Sequence, residues 1–168
     1  KYVSHEIYGG KKKLAGLPAT YTENEEEATS LDITLHDSVM DTDLVLTYSV
    51  YEDYPVVTRS ARLVQKGDQK IRLENVMSAA VEFPDMDYEM IHLSGAWARE
   101  RYVKTRKLEM GIQAVQSLAG TGSSSEQNPF IALKRPHTTE DTGEVFGFGF
   151  VYSGNFLAQV EVSTYEMT

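Results

Sequence analysis

The residues of this chain that could do chemistry are few and scattered. The four histidines, His5, His36, His92 and His137, lack the close spacing of metal ligands, such as His-x-His or His-x-x-x-His. Each is therefore interpreted as a structural histidine. The chain contains no cysteine, which excludes thiolate chemistry and a disulfide framework. The sequence predicts no metal site and no bound cofactor.

Three carboxylates alternate in the segment Phe83-Pro-Asp-Met-Asp-Tyr-Glu89. Asp85, Asp87 and Glu89 could line one face of a strand and bind a hard cation such as Ca²⁺. The segment lacks the glycine and the frame of an EF-hand loop, so a solvated entrance to a strand is the favoured interpretation. No Gly-x-Ser-x-Gly elbow, phosphate loop or dinucleotide fingerprint occurs in the chain.

A basic run surrounds the single tryptophan, Trp97, in a chain of net charge -9. Its cationic residues are Arg99, Arg101, Lys104, Arg106 and Lys107. They could pair with the many acidic side chains. Alternatively, Trp97, Arg99 and Arg101 could anchor an interface, because Trp and Arg are enriched at interface hot spots. Composition leaves both interpretations open.

The acidic balance, with a pI near 4.9, argues against nucleic acid and against an anionic membrane surface as partners. No apolar run approaches the roughly 18 residues of a membrane-spanning helix. The absence of cysteine fits a cytoplasmic protein. A length of 168 residues suits one domain with its own core, so a single domain over residues 1–168 is predicted. The chain starts at Lys1 in a strand-like pattern, which suggests a piece of a longer polypeptide.

Alternation with period two recurs along the chain and is rich in β-branched and aromatic residues. The strand-like runs are residues 1–8, 31–36, 44–51, 56–64, 71–83, 88–93, 112–117, 130–133, 145–152 and 156–162. Turn signals separate them, and no segment holds a helical period for three turns. The best helical candidate, residues 96–103, is interrupted by its own charges. The pattern predicts an all-β antiparallel sandwich.

The segment Leu93-Ser-Gly-Ala-Trp-Ala-Arg-Glu-Arg101 resembles a signature of the amino-terminal β-domain of glycoside hydrolase family 36 α-galactosidases. Further segments are similar to that domain in the same order. They are residues 2–8, 16–21, 51–54, 58–60, 83–85, 111–113, 128–130 and 152–162. The resemblance therefore covers almost the whole chain. One departure lies before Asn128, where Ser123-Ser-Ser-Glu-Gln127 lacks a histidine of the family's pattern.

The resemblance implies a β-supersandwich like that of galactose mutarotase, preceding a catalytic (β/α)₈ barrel that this chain does not contain. The parent would hydrolyse terminal α-galactosides such as melibiose and raffinose with retention. Its two catalytic aspartates would lie in the barrel, so no catalytic residue is expected here. The resemblance also implies two partners, the parent's own barrel and the other subunits of a homo-oligomer, often a tetramer, which would bring this domain near the bound α-galactoside.

Two other functions remain open at this point. A stand-alone carbohydrate-binding module would stack sugar rings on exposed aromatics, for which the ten tyrosines are a supply. A mutarotase-like epimerase would need histidines and carboxylates converging on one concave face, and the scattered histidines give this reading no support.

Overall fold

The computed structural model describes residues 1–16, 18–120, 125–151, 154–165 and 168. Over these residues the chain forms ten β-strands and no α-helix, and every strand pair is antiparallel. The predicted all-β antiparallel class is therefore confirmed. Within the same ranges, no helix has the length and apolar character needed to cross a membrane.

The chain divides into two compact units, Lys1–Val81 and Glu82–Thr168. The first unit is a four-stranded sheet in the order β1-β2-β3-β4. Its strands are β1 (Tyr2–Gly9), β2 (Ala28–Asp37), β3 (Thr42–Tyr51) and β4 (Val57–Gln65). The tight connection between β2 and β3 places Asp41 at a φ of 47°, a left-handed conformation that Asp tolerates better than most residues.

Two buried serines join the strands of the first unit to its first loop. The hydroxyl of Ser30 on β2 donates to the carbonyl oxygen of Gly10 at 2.6 Å and lies 2.7 Å from the hydroxyl of Ser49 on β3. Both serines are essentially inaccessible to solvent, so these bonds satisfy polar groups that water does not reach. They fix where the chain leaves β1 for the loop that follows.

The second unit contains a four-stranded sheet, β6-β5-β8-β9, and a two-stranded sheet, β10-β7. Its strands are β5 (Glu89–Ala96), β6 (Arg99–Lys107), β7 (Gly111–Ser117), β8 (Gln127–Lys134), β9 (Val145–Gly149) and β10 (Phe156–Val162). The core of this unit forms between the two sheets. It contains Tyr88, Met90, Leu108, Val115, Ile131, Leu133, Phe156, Val160 and Val162. Burial of side chains of this size contributes about 1.5–3 kcal/mol each.

The strand predictions agree with the structure except in two places. The run at residues 71–83 forms no strand, and its large apolar side chains Leu73, Val76, Met77 and Val81 are exposed. Among the described residues, only Phe83 at the end of this run exchanges backbone hydrogen bonds with another segment, at Thr168, so the alternation is not matched by a ladder of hydrogen bonds. The second difference is β6, a strand that the sequence did not predict and that the residues of the basic run form. Leu17, residues 121–124 of the altered loop, and Tyr152 and Ser153 of the last matching segment lie outside the described residues.

Candidate interaction surface

The segment around Trp97 folds as the β5–β6 hairpin of the second unit. Ala96 pairs with Arg99, so Trp97 and Ala98 alone form the turn. Ala98 has a φ of 64°, the left-handed conformation that tight turns require at one of their central positions. Its backbone N–H donates to a carboxylate oxygen of Glu100 at 2.9 Å. The turn is therefore defined by local contacts, and it directs Trp97 outward.

An irregularity in the ladder follows the turn. The pairing register shifts between Ser94 and Ala96, and Arg101 has a φ of 63°, as expected at a β-bulge. Gly95 permits this arrangement, because a Cβ at that position would lie 2.2 Å from the carbonyl oxygen of Arg99. The N–H of Gly95 also donates to the carbonyl oxygen of Glu126 at 3.0 Å. A glycine is thus required for the close approach of the two strands.

Residues 97–105 and 107 of this hairpin are exposed. Among them, the name hairpin surface is used here for Trp97, Arg99, Arg101, Tyr102 and Val103. Trp97 is 87% exposed, Val103 66% and Tyr102 56%. The surface therefore combines large apolar area with arginine. Tyr102 and Val103 are consecutive on β6 and therefore point to opposite faces of the sheet, so Trp97 at the turn is the largest exposed apolar side chain of this surface.

The basic side chains of β6 have no acidic partner among the residues that the structure describes. Within the described ranges, no carboxylate lies within 4.0 Å of a charged nitrogen of these residues. The interpretation in which the basic run is neutralised inside this chain is therefore wrong for the part of the chain that the structure describes. The exposed bases are Arg99, Arg101, Lys104 and Lys107.

β6 is also an edge strand of its sheet. Charged side chains on an edge discourage pairing with a further strand, and this role alone could account for the lysines. It does not account for Trp97, Tyr102 and Val103, which place apolar area in the same exposed hairpin. That Trp97, Arg99 and Arg101 anchor an interface stays a prediction. The structure places two further exposed residues, Tyr102 and Val103, in the same hairpin.

Arg106 differs from the other cations of β6, because its side chain turns towards the core. It is half-buried opposite Met90 and donates to the carbonyl oxygen of Ala114 on β7 at 3.1 Å. His92 lies on β5, two residues after Met90. Burial lowers the pKa of His92, and the nearby charges of Arg106 and Lys104 lower it further. These effects favour the neutral form of the His92 imidazole.

Two of the three alternating carboxylates, Asp85 and Glu89, are held by cations of the chain itself. Asp85 accepts from both terminal nitrogens of Arg135, at 2.6 and 3.2 Å, and Glu89 pairs with Lys134 at 2.6 Å. The hydrogen bonds from Arg135 hold the pKa of Asp85 below its usual range. The guanidinium also lies 3.9 Å from the ring centre of Tyr88. Asp85 and Asp87 directly precede β5, and Asp87 is exposed, so the segment is the solvated strand entrance that the sequence favoured, with ion pairs at Asp85 and Glu89 added to it.

The remaining histidines do not converge. His36 contacts Asp43 at 2.8 Å, His5 contacts the hydroxyl of Tyr2 at 2.6 Å, and His137 is exposed. Among the described residues, no group of three or more His, Cys, Asp or Glu side chains could hold a metal ion.

Sequence reasoning missed β6 because it searched for alternation between a buried and an exposed face. Almost every residue of this edge strand is exposed, so polar residues occupy both faces and the alternation disappears. The signal that could have revealed it is the β-forming composition of Tyr102-Val103-Lys-Thr105 together with Gly95 just before the turn.

Comparison with known proteins places these features in a family. The model of the glycosyl hydrolase family 36 N-terminal domain matches residues 1–168. The chain is 50% identical over 165 residues to alpha-galactosidase AgaA of Geobacillus stearothermophilus, which covers 98% of the chain and 22% of that protein. It is 41% identical over 160 residues to alpha-galactosidase Mel36A of Lactobacillus acidophilus, covering 95% and 22% respectively.

Solved structures agree with these matches. The crystal structure of the family 36 alpha-galactosidase AgaA superposes with a TM-score of 0.96 over 99% of this chain and 23% of that one, at 50% identity. The alpha-galactosidase from Lactobacillus brevis gives a TM-score of 0.94 over 99% and 22%, at 37% identity. The chain thus spans less than a quarter of the length of these relatives, and it has the fold of the matching part.

Proposed function

Because the chain belongs to the family of glycosyl hydrolase family 36 N-terminal domains, we propose that it is the non-catalytic part of a longer α-galactosidase. The longer protein would hydrolyse terminal α-galactosides such as melibiose and raffinose with retention. The observation that carries this proposal is the match over the whole chain to relatives named alpha-galactosidases. A variant of the Geobacillus stearothermophilus protein has been crystallised in complex with raffinose, which supports the same substrate class.

We assign the hydrolysis to a part of the longer protein outside this chain. Retaining hydrolysis needs two carboxyl groups about 5–5.5 Å apart, one acting as the nucleophile and the other as acid and base. Two carboxylates of this chain, Asp85 and Asp32, are already bound by other groups. Asp85 is bound by Arg135, and Asp32 accepts from Thr47 at 2.6 Å and from Lys12 at 2.9 Å.

The role left to this domain is that of a scaffold. The hairpin surface would contact the catalytic barrel or a neighbouring subunit of a homo-oligomer, with Trp97 as the apolar anchor and Arg99 and Arg101 as its polar partners. Support comes from the 87% exposure of Trp97 and from the absence of ion pairs for both arginines within the described residues. Arginines without partners in the chain are free to meet carboxylates of another surface.

A comparison of the isolated chain with the longer protein tests the non-catalytic role. The isolated chain, purified to homogeneity, should show the far-ultraviolet circular dichroism of a folded β-protein and release no nitrophenol from an aryl α-galactoside. The longer protein should release it. Turnover that remains with the isolated chain through successive purification steps would show that hydrolysis resides here.

Calorimetric titration of the same preparation with melibiose and with galactose tests the carbohydrate-binding alternative. If the domain is a scaffold and not a binding module, we expect no heat of binding. Binding in the millimolar range or tighter would replace the scaffold role with that of a binding module.

A further inference from the structure

The segment of residues 71–83 ends in an anchored residue that follows an exposed stretch. Residues 79–82 are exposed, and Val81 is 57% exposed. Phe83, the next residue, is half-buried and packs against the core of the second unit. Its ring centre lies 5.3 Å from that of Tyr88. Phe83 therefore holds the end of the segment in place, next to residues that have large contact area to offer.

A second anchor acts through the backbone of Phe83. The N–H of Thr168 donates to the carbonyl oxygen of Phe83 at 3.2 Å, and the N–H of Phe83 donates to the carbonyl oxygen of Thr168. Directly opposite residues exchange both bonds in this way at the hydrogen-bonded positions of an antiparallel ladder. The two residues therefore form one pair of such a ladder.

This pair defines the register in which the ladder could continue. In an antiparallel pair, each step forward along one strand is a step back along the other. The first residue after Thr168 would therefore face Glu82, and the second would face Val81. The third and fourth would face Ala80 and Ala79. Because hydrogen-bonded and non-hydrogen-bonded pairs alternate, the N–H groups of Val81 and Ala79 would point towards the added strand.

The segment has the composition of a strand. Its alternation predicts a strand over residues 71–83, and neither glycine nor proline, which weaken or interrupt a ladder, occurs in that range. Side chains two residues apart on a strand share a face. A strand here would therefore place Val81 on the same side as Phe83, which packs against the core, and Glu82 on the opposite side.

We propose that residues 79–83 are the docking site of a β-strand that follows Thr168 in the longer protein. That strand adds antiparallel to the segment, starting from the pair of Phe83 and Thr168. It bonds the backbone groups of Val81 and Ala79, which have no backbone partner among the described residues, as in other additions of a strand to an open edge. The inference rests on the proposed function in so far as it requires a longer protein, and this chain spans 22% of alpha-galactosidase AgaA.

A disulfide that can form only in this register tests the pairing in the longer protein. Ala80→Cys is combined with a cysteine at the third residue after Thr168. The two would face each other at a non-hydrogen-bonded position, with Cα atoms about 4.5 Å apart, a separation that a disulfide spans. The matched control combines Ala79→Cys with the same third residue, because those side chains would point to opposite faces of the sheet. Residues 1–168 contain no cysteine, and peptide mapping by mass spectrometry identifies the linked peptides.

Under mild oxidation, the disulfide of the Ala80→Cys protein should close within one molecule at least about tenfold faster than that of the Ala79→Cys control. Equal rates in the two proteins, or no closure in either, would overturn the proposal. A disulfide that joins two molecules, seen as a dimer on a non-reducing denaturing gel, would overturn it as well, because the strand would then come from another subunit.

Amide exchange in the unmodified longer protein provides a measurement without any variant. The N–H groups of Val81 and Ala79 should exchange at least about tenfold slower than unprotected amides, and free exchange of both would overturn the proposal. Hydrolysis of an aryl α-galactoside by the same preparation tests the proposed function separately. Hydrolysis without the pairing overturns this inference alone, and the pairing without hydrolysis overturns the proposed function alone.

Discussion

Replacing Trp97 with alanine should hardly affect the isolated chain and should weaken a contact in the longer protein. A tryptophan side chain covers about 150–250 Å² when it is buried. Because Trp97 is 87% exposed, roughly 130–220 Å² of it remains available to a partner surface. At about 25 cal/mol per Å², covering that area corresponds to about 3–5 kcal/mol. In the isolated chain the same area faces solvent before and after the substitution, so the free energy of unfolding should change by less than about 0.5 kcal/mol.

Truncation of an interface hot spot typically costs about 2–4 kcal/mol, less than complete burial would suggest. We expect that loss for the longer protein. If the partner is another subunit, the dissociation constant of the oligomer should rise about 30- to 1,000-fold, which sedimentation velocity over a dilution series measures. If the partner is the catalytic barrel, the loss should appear as a lower thermal unfolding temperature at constant oligomeric state.

Val39 provides the matched control. It lies in the turn between β2 and β3 and is 90% exposed, so Val39→Ala also removes apolar area from a hairpin end. This variant should match the wild type in both measurements. The reasoning is refuted if Trp97→Ala leaves oligomeric state and thermal stability of the longer protein unchanged, or if Val39→Ala causes an equal loss.

Two further predictions concern the chain itself. Gly95→Ala should destabilise the second unit by about 1–3 kcal/mol, because the added Cβ would lie 2.2 Å from the carbonyl oxygen of Arg99. Faster amide exchange in β5 and β6 measures this loss. The control is Gly149→Ala, whose Cβ would meet nothing within 4 Å and which should leave that exchange unchanged. Burial raises the pKa of Asp32, but hydrogen bonds from Thr47, Lys12 and Tyr8 lower that pKa overall. The stability that ionised Asp32 contributes is therefore present above its pKa in the unfolded chain, about 3.9. This stability is lost as the pH falls through the lower pKa of the folded chain. Thr47→Val should therefore cost about 1–3 kcal/mol near pH 7 and progressively less below pH 4 in urea unfolding; an equal cost at pH 7 and pH 3 would contradict this account.

Amide exchange is the better probe for these variants because the chain has only one tryptophan, in the second unit. Trp97 is already exposed in the folded chain, so its fluorescence should respond weakly to unfolding. Exchange measured peptide by peptide also separates the two compact units, which need not unfold together.

The sequence alone identified the fold class, because alternation of polar and apolar residues follows directly from the pleat of a strand. It identified the family through matches in series, and whole-chain comparison confirmed this. The prediction of one domain over residues 1–168 remains a prediction beside the two compact units of the structure.

The tertiary structure decided the matters that depend on which groups meet. Residues 71–83 alternate like a strand but form none, since among the described residues only Phe83 is hydrogen-bonded through its backbone to another segment. Strands are stabilised by a ladder of such bonds. Lys11 and Lys12 are adjacent in sequence, but one amine meets hydroxyls and the other meets carboxylates.

The Trp97 segment shows the same division. Its residue types marked it as unusual and as a family signature. Only the structure showed that it is a hairpin at the edge of a sheet, with Trp97 exposed and the bases of β6 without acidic partners among the described residues. The physical reason is that burial and charge pairing are properties of the space around a side chain, which residues distant in sequence supply.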